Sequence, residues 1–170
     1  IEDYRYFVRP YIASALAEGR RVVYLRFGGH PPVVDPGLPV KTVEMTPQEG
    51  FEPFASAIYR VLTEEGRGVF YVFDCLSDLL SAWATDHMIA NFFRVTCPYL
   101  FELDTVAYFA LIRNRHAFRT INHIRETTQL LIDLFRRDEK VYVQPLKVWQ
   151  RHSPTMFLPH RQEGERFLPL

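Results

Sequence analysis

The run Val69-Phe-Tyr-Val-Phe73 has no polar face, and it closes on an acid, Asp74. A strand of that composition must be covered on both sides, as the central strands of α/β sheets are. A short polar turn, Cys75-Leu76-Ser77-Asp78, follows, and then a helical pattern. In open α/β sheets ligands bind beyond the carboxyl ends of the strands. The run therefore delivers the Asp74 carboxylate to the ligand edge. In nucleotide-binding folds an aspartate so placed helps to hold Mg²⁺ beside a phosphate chain.

The rest of the chain supplies the layers that such a strand needs. Tyr4, Phe7, Val8, Tyr11, Ile12, Ala15 and Leu16 recur at helical spacing up to Gly19. Pro10 interrupts that pattern, which places the helix start near Arg9. Arg21–Phe27 reads as a strand stopped by Gly28-Gly29-His30-Pro31-Pro32, and Val40–Glu44 as a second, shorter one. Thr46-Pro47-Gln48-Glu49 has the form of a capping box opening a helix that runs to Gly66. A helical region is expected from Leu76 to about Phe93, and Thr96-Cys97-Pro98 opens another short helix. Thr105–Ile112 is apolar throughout and reads as a strand buried on both faces. Ala117–Glu126 is helical, and Gln129–Phe135 and Lys140–Trp149 pair as a hairpin about Arg137-Asp138-Glu139. This order predicts an α/β three-layer domain over residues 1–150, with a mostly parallel sheet and an antiparallel C-terminal hairpin at its edge. Residues 151–170 read as a proline-rich tail.

Charge narrows the partners. Lys+Arg and Asp+Glu balance at 20 each, so nothing suggests a nucleic-acid face or an anionic membrane partner. No apolar run reaches membrane-spanning length. Cys75 and Cys97 lie far apart in apolar surroundings and read as reduced thiols of a cytoplasmic protein. The chain opens on Ile1, as a piece of something longer would.

Ala13–Phe27, Val72–Leu80, Arg119–Thr127 and Val141–Arg151 together resemble the RecA-like P-loop NTPase fold, in its KaiC-type branch. Asp3–Phe7, Phe92–Tyr99 and Lys147–Phe157 are similar to the region N-terminal to the phosphoenolpyruvate synthase and pyruvate phosphate dikinase modules. The resemblance implies that the first strand and the phosphate loop of the fold precede Ile1. It implies ATP and Mg as ligands, with Asp74 the metal-holding carboxylate and Ser77 beside it. Lys147 and Arg151 match basic residues offered to a neighbour's phosphates. Arg113, Arg115 and His116, after a buried strand at the ligand edge, are further anion-contact candidates.

The catalytic parts are incomplete. No G-x-x-x-x-G-K-[ST] occurs in the chain, and Glu2-Asp3 sit at the helix start where phosphates would bind. Gly28-Gly29 stand where the resemblance places a water-activating carboxylate. His30, beside two prolines, reads as a solvated loop histidine. The favoured reading of Arg113, Arg115 and His116 is a simple solvated loop, and that of Asp86-His87 an exposed pair. Asp74 then has two readings, a Mg²⁺ ligand or a structural cap of its own turn. The expectation is a degenerate nucleotide-binding domain with a regulatory or scaffolding role. Its partners would be a sister domain of a larger phosphotransferase or further copies of itself. The alternative is an active ATP-binding switch whose phosphate loop lies upstream.

Overall fold

The structure is a computed structural model that describes residues 1–46 and 50–170. Pro47, Gln48 and Glu49, most of the expected capping box, lie outside the described residues. Four parallel strands form the first sheet: β1 (Val22–Arg26), β2 (Lys41–Glu44), β3 (Phe70–Asp74) and β4 (Val106–Phe109), in the order β2-β1-β3-β4. Arg26 of β1 stands opposite Asp74 of β3.

Side-chain alternation sends the strands to two cores. On one face Val22, Tyr24 and Val72 pack with Tyr4, Val8, Ile12 and Ala15 of α1 (Tyr4–Ala17). On the other, Val23, Leu25, Tyr71 and Phe73 meet three helices: α2 (Phe51–Glu65), α3 (Asp86–Glu102) and α4 (Phe118–Thr127). Phe54, Ile58 and Leu62 carry the α2 contact at intervals of one turn, as an amphipathic helix requires. The result is a three-layer α/β arrangement with β3 buried at its centre.

Parallel neighbours need a long crossover. Residues 27–40 provide it between β1 and β2 without a helix. This proline-rich segment lies over the α1 face, where Val33 and Val34 are buried and Leu38 and Val40 pack against the same core.

Several expectations are corrected. The antiparallel hairpin is not an edge of the parallel sheet. β5 (Leu130–Arg137) and β6 (Lys140–Val148) start a second sheet of order β5-β6-β7-β8. Its last strands, β7 (His160–Glu163) and β8 (Arg166–Pro169), lie in the segment expected as a tail. Leu134 docks this sheet on the α1 side, aided by ion pairs Arg136–Asp3 and Arg113–Asp133. Helix α1 starts before Pro10 and runs through it, because Tyr4 and Val8 are needed in the core. The region after β3 splits. A 3₁₀ segment, Leu76–Ser81, gives way to α3, whose N-cap Thr85 accepts from the Met88 amide at 3.3 Å. Helix α3 then passes through Pro98, held by Phe93, Thr96 and Leu100 on either side of it. Strand β4 is half-exposed because no strand pairs with its outer edge among the described residues. Tyr11 of α1 lies across the β3–β4 seam, donating to the Val106 carbonyl at 2.9 Å.

The β5–β6 turn places Asp138 and Glu139 at φ +47° and +59°, with Arg137 paired to Lys140. Such two-residue turns favour glycine at the second position, because non-glycine residues there pay a steric penalty of about 1 kcal/mol. Glu139→Gly is therefore expected to stabilise the fold by about 1 kcal/mol, read as a higher urea midpoint with an unchanged slope. A lower midpoint contradicts the turn assignment.

Candidate functional site

Period-two alternation puts Asp74 on the α1 face with Phe70 and Val72, and the residue is fully buried. Its Oδ2 accepts a 2.5 Å hydrogen bond from the hydroxyl of Tyr24, one strand away. That hydroxyl also accepts from the Val33 amide at 3.3 Å. Oδ1 lies 3.0 Å from His30 Nε2, and Asp78 Oδ2 is 3.8 Å from the same nitrogen. The Nε2–Oδ1 approach is not aligned as a hydrogen bond, so both buried atoms lack a hydrogen-bond partner, as does the nearby Tyr4 hydroxyl. Burial raises the Asp74 pKa above the ordinary 3.8, although Tyr24 and His30 pull it back. Burial, reinforced by the Asp74 charge, likewise raises Tyr4 and Tyr24.

His30 reaches Asp74 because Gly28 leaves room. A Cβ at Gly28 would stand 2.5 Å from Asp78 Oδ2 and 2.7 Å from His30 Nε2. Arg26 anchors the loop from below by donating to the His30 carbonyl at 2.6 Å, while pairing with Glu44. His30 is thus not a solvated loop histidine; its side chain is 13% exposed.

The ring's protonation follows from its partners. Nδ1 lies 2.8 Å from the Pro31 carbonyl, which can only accept, so Nδ1 carries a proton. Nε2 then stands against Asp74 Oδ1 as a close polar approach rather than an aligned hydrogen bond.

A second network lies one turn further on. Ser77 Oγ is 2.7 Å from His116 Nε2, and His116 Nδ1 is 2.8 Å from Asp86 Oδ1. Asp86 Oδ2 accepts from the Ala117 amide at 2.9 Å. These contacts correct two expectations: His116 is not in a solvated loop, and Asp86 pairs with His116 rather than standing with His87 as an exposed pair. Burial opposes the Asp86 charge, but the Ala117 amide and His116 outweigh it and lower its pKa.

The connectivity is that of a Ser–His–carboxylate relay. Its surroundings are not. Ser77 and the His116 side chain have zero exposure, and Ser77 Oγ also accepts the Ile112 amide at 2.7 Å. A nucleophile must reach its substrate; this hydroxyl is enclosed and fully hydrogen-bonded. The group is a clasp joining the 3₁₀ turn, the loop after β4 and the start of α3.

The remaining expected site residues lie elsewhere. Arg113 pairs with Asp133 at 3.5 Å and sits over the Phe135 ring. Lys147 donates to the carbonyls of Arg125 and Thr128, closing the C-terminus of α4. It also lines a shallow groove of about 410 Å³ with Asn122, Arg125 and Glu126. Arg151 is exposed on the loop after β6, and its charge partly offsets the burial that raises Tyr108. Among the described residues, no hydrogen bond or ion pair links these three cations to Asp74 or Ser77.

Magnesium does not fit at Asp74. One carboxylate oxygen accepts from Tyr24, the other faces His30, and the described residues contain no group of three potential ligands able to hold a metal. Cys75 and Cys97 are free, on opposite faces of the sheet, with burial pushing each thiol up to about 12. No helix is long and apolar enough to cross a membrane among the described residues.

Ser77→Ala strands the half-buried Ile112 amide, and His116→Ala strands the Ser77 hydroxyl. Each is expected to reduce stability by about 1–3 kcal/mol, measured by urea unfolding. A fluorophosphonate probe should leave native Ser77 unlabelled. Labelling of the folded chain at Ser77 would contradict the clasp.

No protein-family model matches the chain, and no curated protein matches it in sequence.

Proposed function

We propose that this chain is a degenerate RecA/KaiC-like nucleotide-binding-fold domain that works as a regulatory or scaffolding unit. Its partner on this reading is a sister domain of a phosphoenolpyruvate synthase or pyruvate phosphate dikinase-like phosphotransferase, or another copy of itself. The observation that carries the reading is the state of the ligand-edge carboxylate. Asp74 is fully buried and engaged by Tyr24 and His30. A metal-holding aspartate needs an ionised carboxylate with oxygens free to coordinate. Here burial favours the neutral acid, and neither oxygen is exposed to solvent.

Two further features support it. The four-stranded parallel sheet carries Asp74 at the C-terminal end of an inner strand, the position from which a nucleotide-binding fold would present it. Ser77 is held by His116 and the Ile112 amide and offers nothing to a phosphate or its metal.

Calorimetric titration of the chain with MgATP tests the reading. No heat of binding is expected at millimolar ATP. Tight, Mg-dependent binding that Asp74→Ala abolishes would overturn it and favour an active nucleotide switch.

A further inference from the structure

We propose that the open edge of β4 pairs antiparallel with the β4 edge of a second copy of this chain, joining two four-stranded sheets into one across a twofold axis at Tyr108. The backbone directs this. Ala110 donates to the Phe73 carbonyl at 3.0 Å, so its polar groups face β3. Alternation along the strand turns Tyr108 and Val106 the same way, and turns the N–H and C=O groups of Ala107 and Phe109 outward. Among the described residues no strand takes up those outward groups. The strand also lacks the usual guards of an edge. Thr105–Ile112 contains no charge, no proline and no glycine. Its register against β3 is unbroken over Val106–Phe109, with no bulge to turn it away. Edge strands that avoid pairing carry such guards.

Charge selects the partner and its direction. The approach to β4 is acidic, with Glu102 and Asp104, and the exit is basic, with Arg113 and Arg115; all four residues are exposed. A second β4 running antiparallel sets the acidic approach of each copy beside the basic exit of the other, at both ends at once. A parallel neighbour of the same sequence would set acid against acid and base against base. Arg113 already pairs with Asp133 at 3.5 Å, which leaves Arg115 as the cation for the partner. Complementary charges of this kind fix register and disfavour the wrong orientation.

The apolar surroundings obey the same axis. With Tyr108 opposite itself, Ala107 of each copy stands opposite Phe109 of the other and exchanges both backbone hydrogen bonds with it. The two Tyr108 rings come side by side on the α1 face, where each already packs edge-on against Phe7 and Tyr11. Cross-strand aromatic pairs strengthen such a ladder. On the opposite face two large side chains flank the strand. Phe101, near the end of α3, is 66% exposed, and Phe118, at the start of α4, is 80% exposed. The axis brings Phe101 of one copy toward the Phe118 end of the other. A closed twofold pairing leaves neither β4 edge open. The proposal rests on the part of the functional reading that allows another copy as partner.

Sedimentation of the intact chain tests the pairing without nucleotide, from about 1 µM to about 500 µM, a range that spans tight and weak association. A mass rising to twice the 20.0 kDa of the chain is expected. As it rises, hydrogen exchange of the Ala107 and Phe109 amides should slow, while the Tyr108 amide, which faces β3, stays protected at every concentration. Ala107→Pro removes an outward N–H that the single chain does not use, and is expected to leave a folded monomer. Arg115→Glu and Glu102→Arg, both on the surface, should each weaken self-association roughly tenfold. An equimolar mixture of those two variants should recover it, because opposite charges then meet across the axis. A wild-type chain that stays monomeric, a dimer whose Ala107 and Phe109 amides exchange freely, or a mixture no tighter than its components overturns the pairing. Each of these results leaves the degenerate-site reading standing, since that reading is decided by the MgATP titration.

Discussion

Everything at the C-terminal end of the parallel sheet depends on how one buried carboxylate is tolerated. An isolated charge in a protein interior is expensive, and such groups either neutralise or acquire partners. Asp74 does some of both. Tyr24 donates to one oxygen, His30 stands against the other, and burial favours the protonated acid. The loop after β1 is shaped by that requirement. Gly28 is the side-chain-free position that lets His30 close on Asp74, and Tyr24 ties Asp74 and Val33 into the same network.

The second network solves a related problem for the neighbouring loops. The Ile112 amide beyond β4 has no strand partner and takes the Ser77 hydroxyl instead. His116 and Asp86 complete the chain of hydrogen bonds and bind the start of α3 to the loop leading into α4. Fully satisfied buried polar networks rigidify and specify one arrangement. The residue types of a hydrolase are present, with the distances of one, yet burial turns them into a fastening. Type and spacing do not make an active site without access.

Much of the fold was legible in the residues. The apolar run ending at Asp74 announced a central parallel strand, and the helical spacing of Tyr4, Val8, Ile12 and Ala15 announced the covering layer. The hairpin turn at Asp138-Glu139 was equally plain. Other features were settled by tertiary contacts that local pattern does not encode. Pro10 and Pro98 sit inside helices because core residues on both sides hold the rod together. Thr105–Ile112 resembled an inner strand because it is apolar, but among the described residues no strand pairs with its outer edge, and α1 aromatics pack on one face of it. The position of Asp74 could be read from sequence; its partners could not. Tyr24 looked like one more core aromatic, and His30 was separated from Asp74 by the whole of β2 and α2. The pairing of Ser77 with His116 spans a similar distance. The one local hint was Gly28-Gly29, which reads as a strand stop and is in addition a steric allowance for an imidazole.

The central claim is that His30, and not an external cation, stands against Asp74. Long-range ¹H–¹⁵N spectra of the histidine side chains test it directly, recorded below neutral pH with and without millimolar Mg²⁺. The account predicts a His30 ring protonated at Nδ1, whose nitrogen shifts respond to Asp74→Asn and ignore added Mg²⁺. A His30 ring with a bare Nδ1, or one whose signals move on adding Mg²⁺ in the wild type but not in Asp74→Asn, would contradict it.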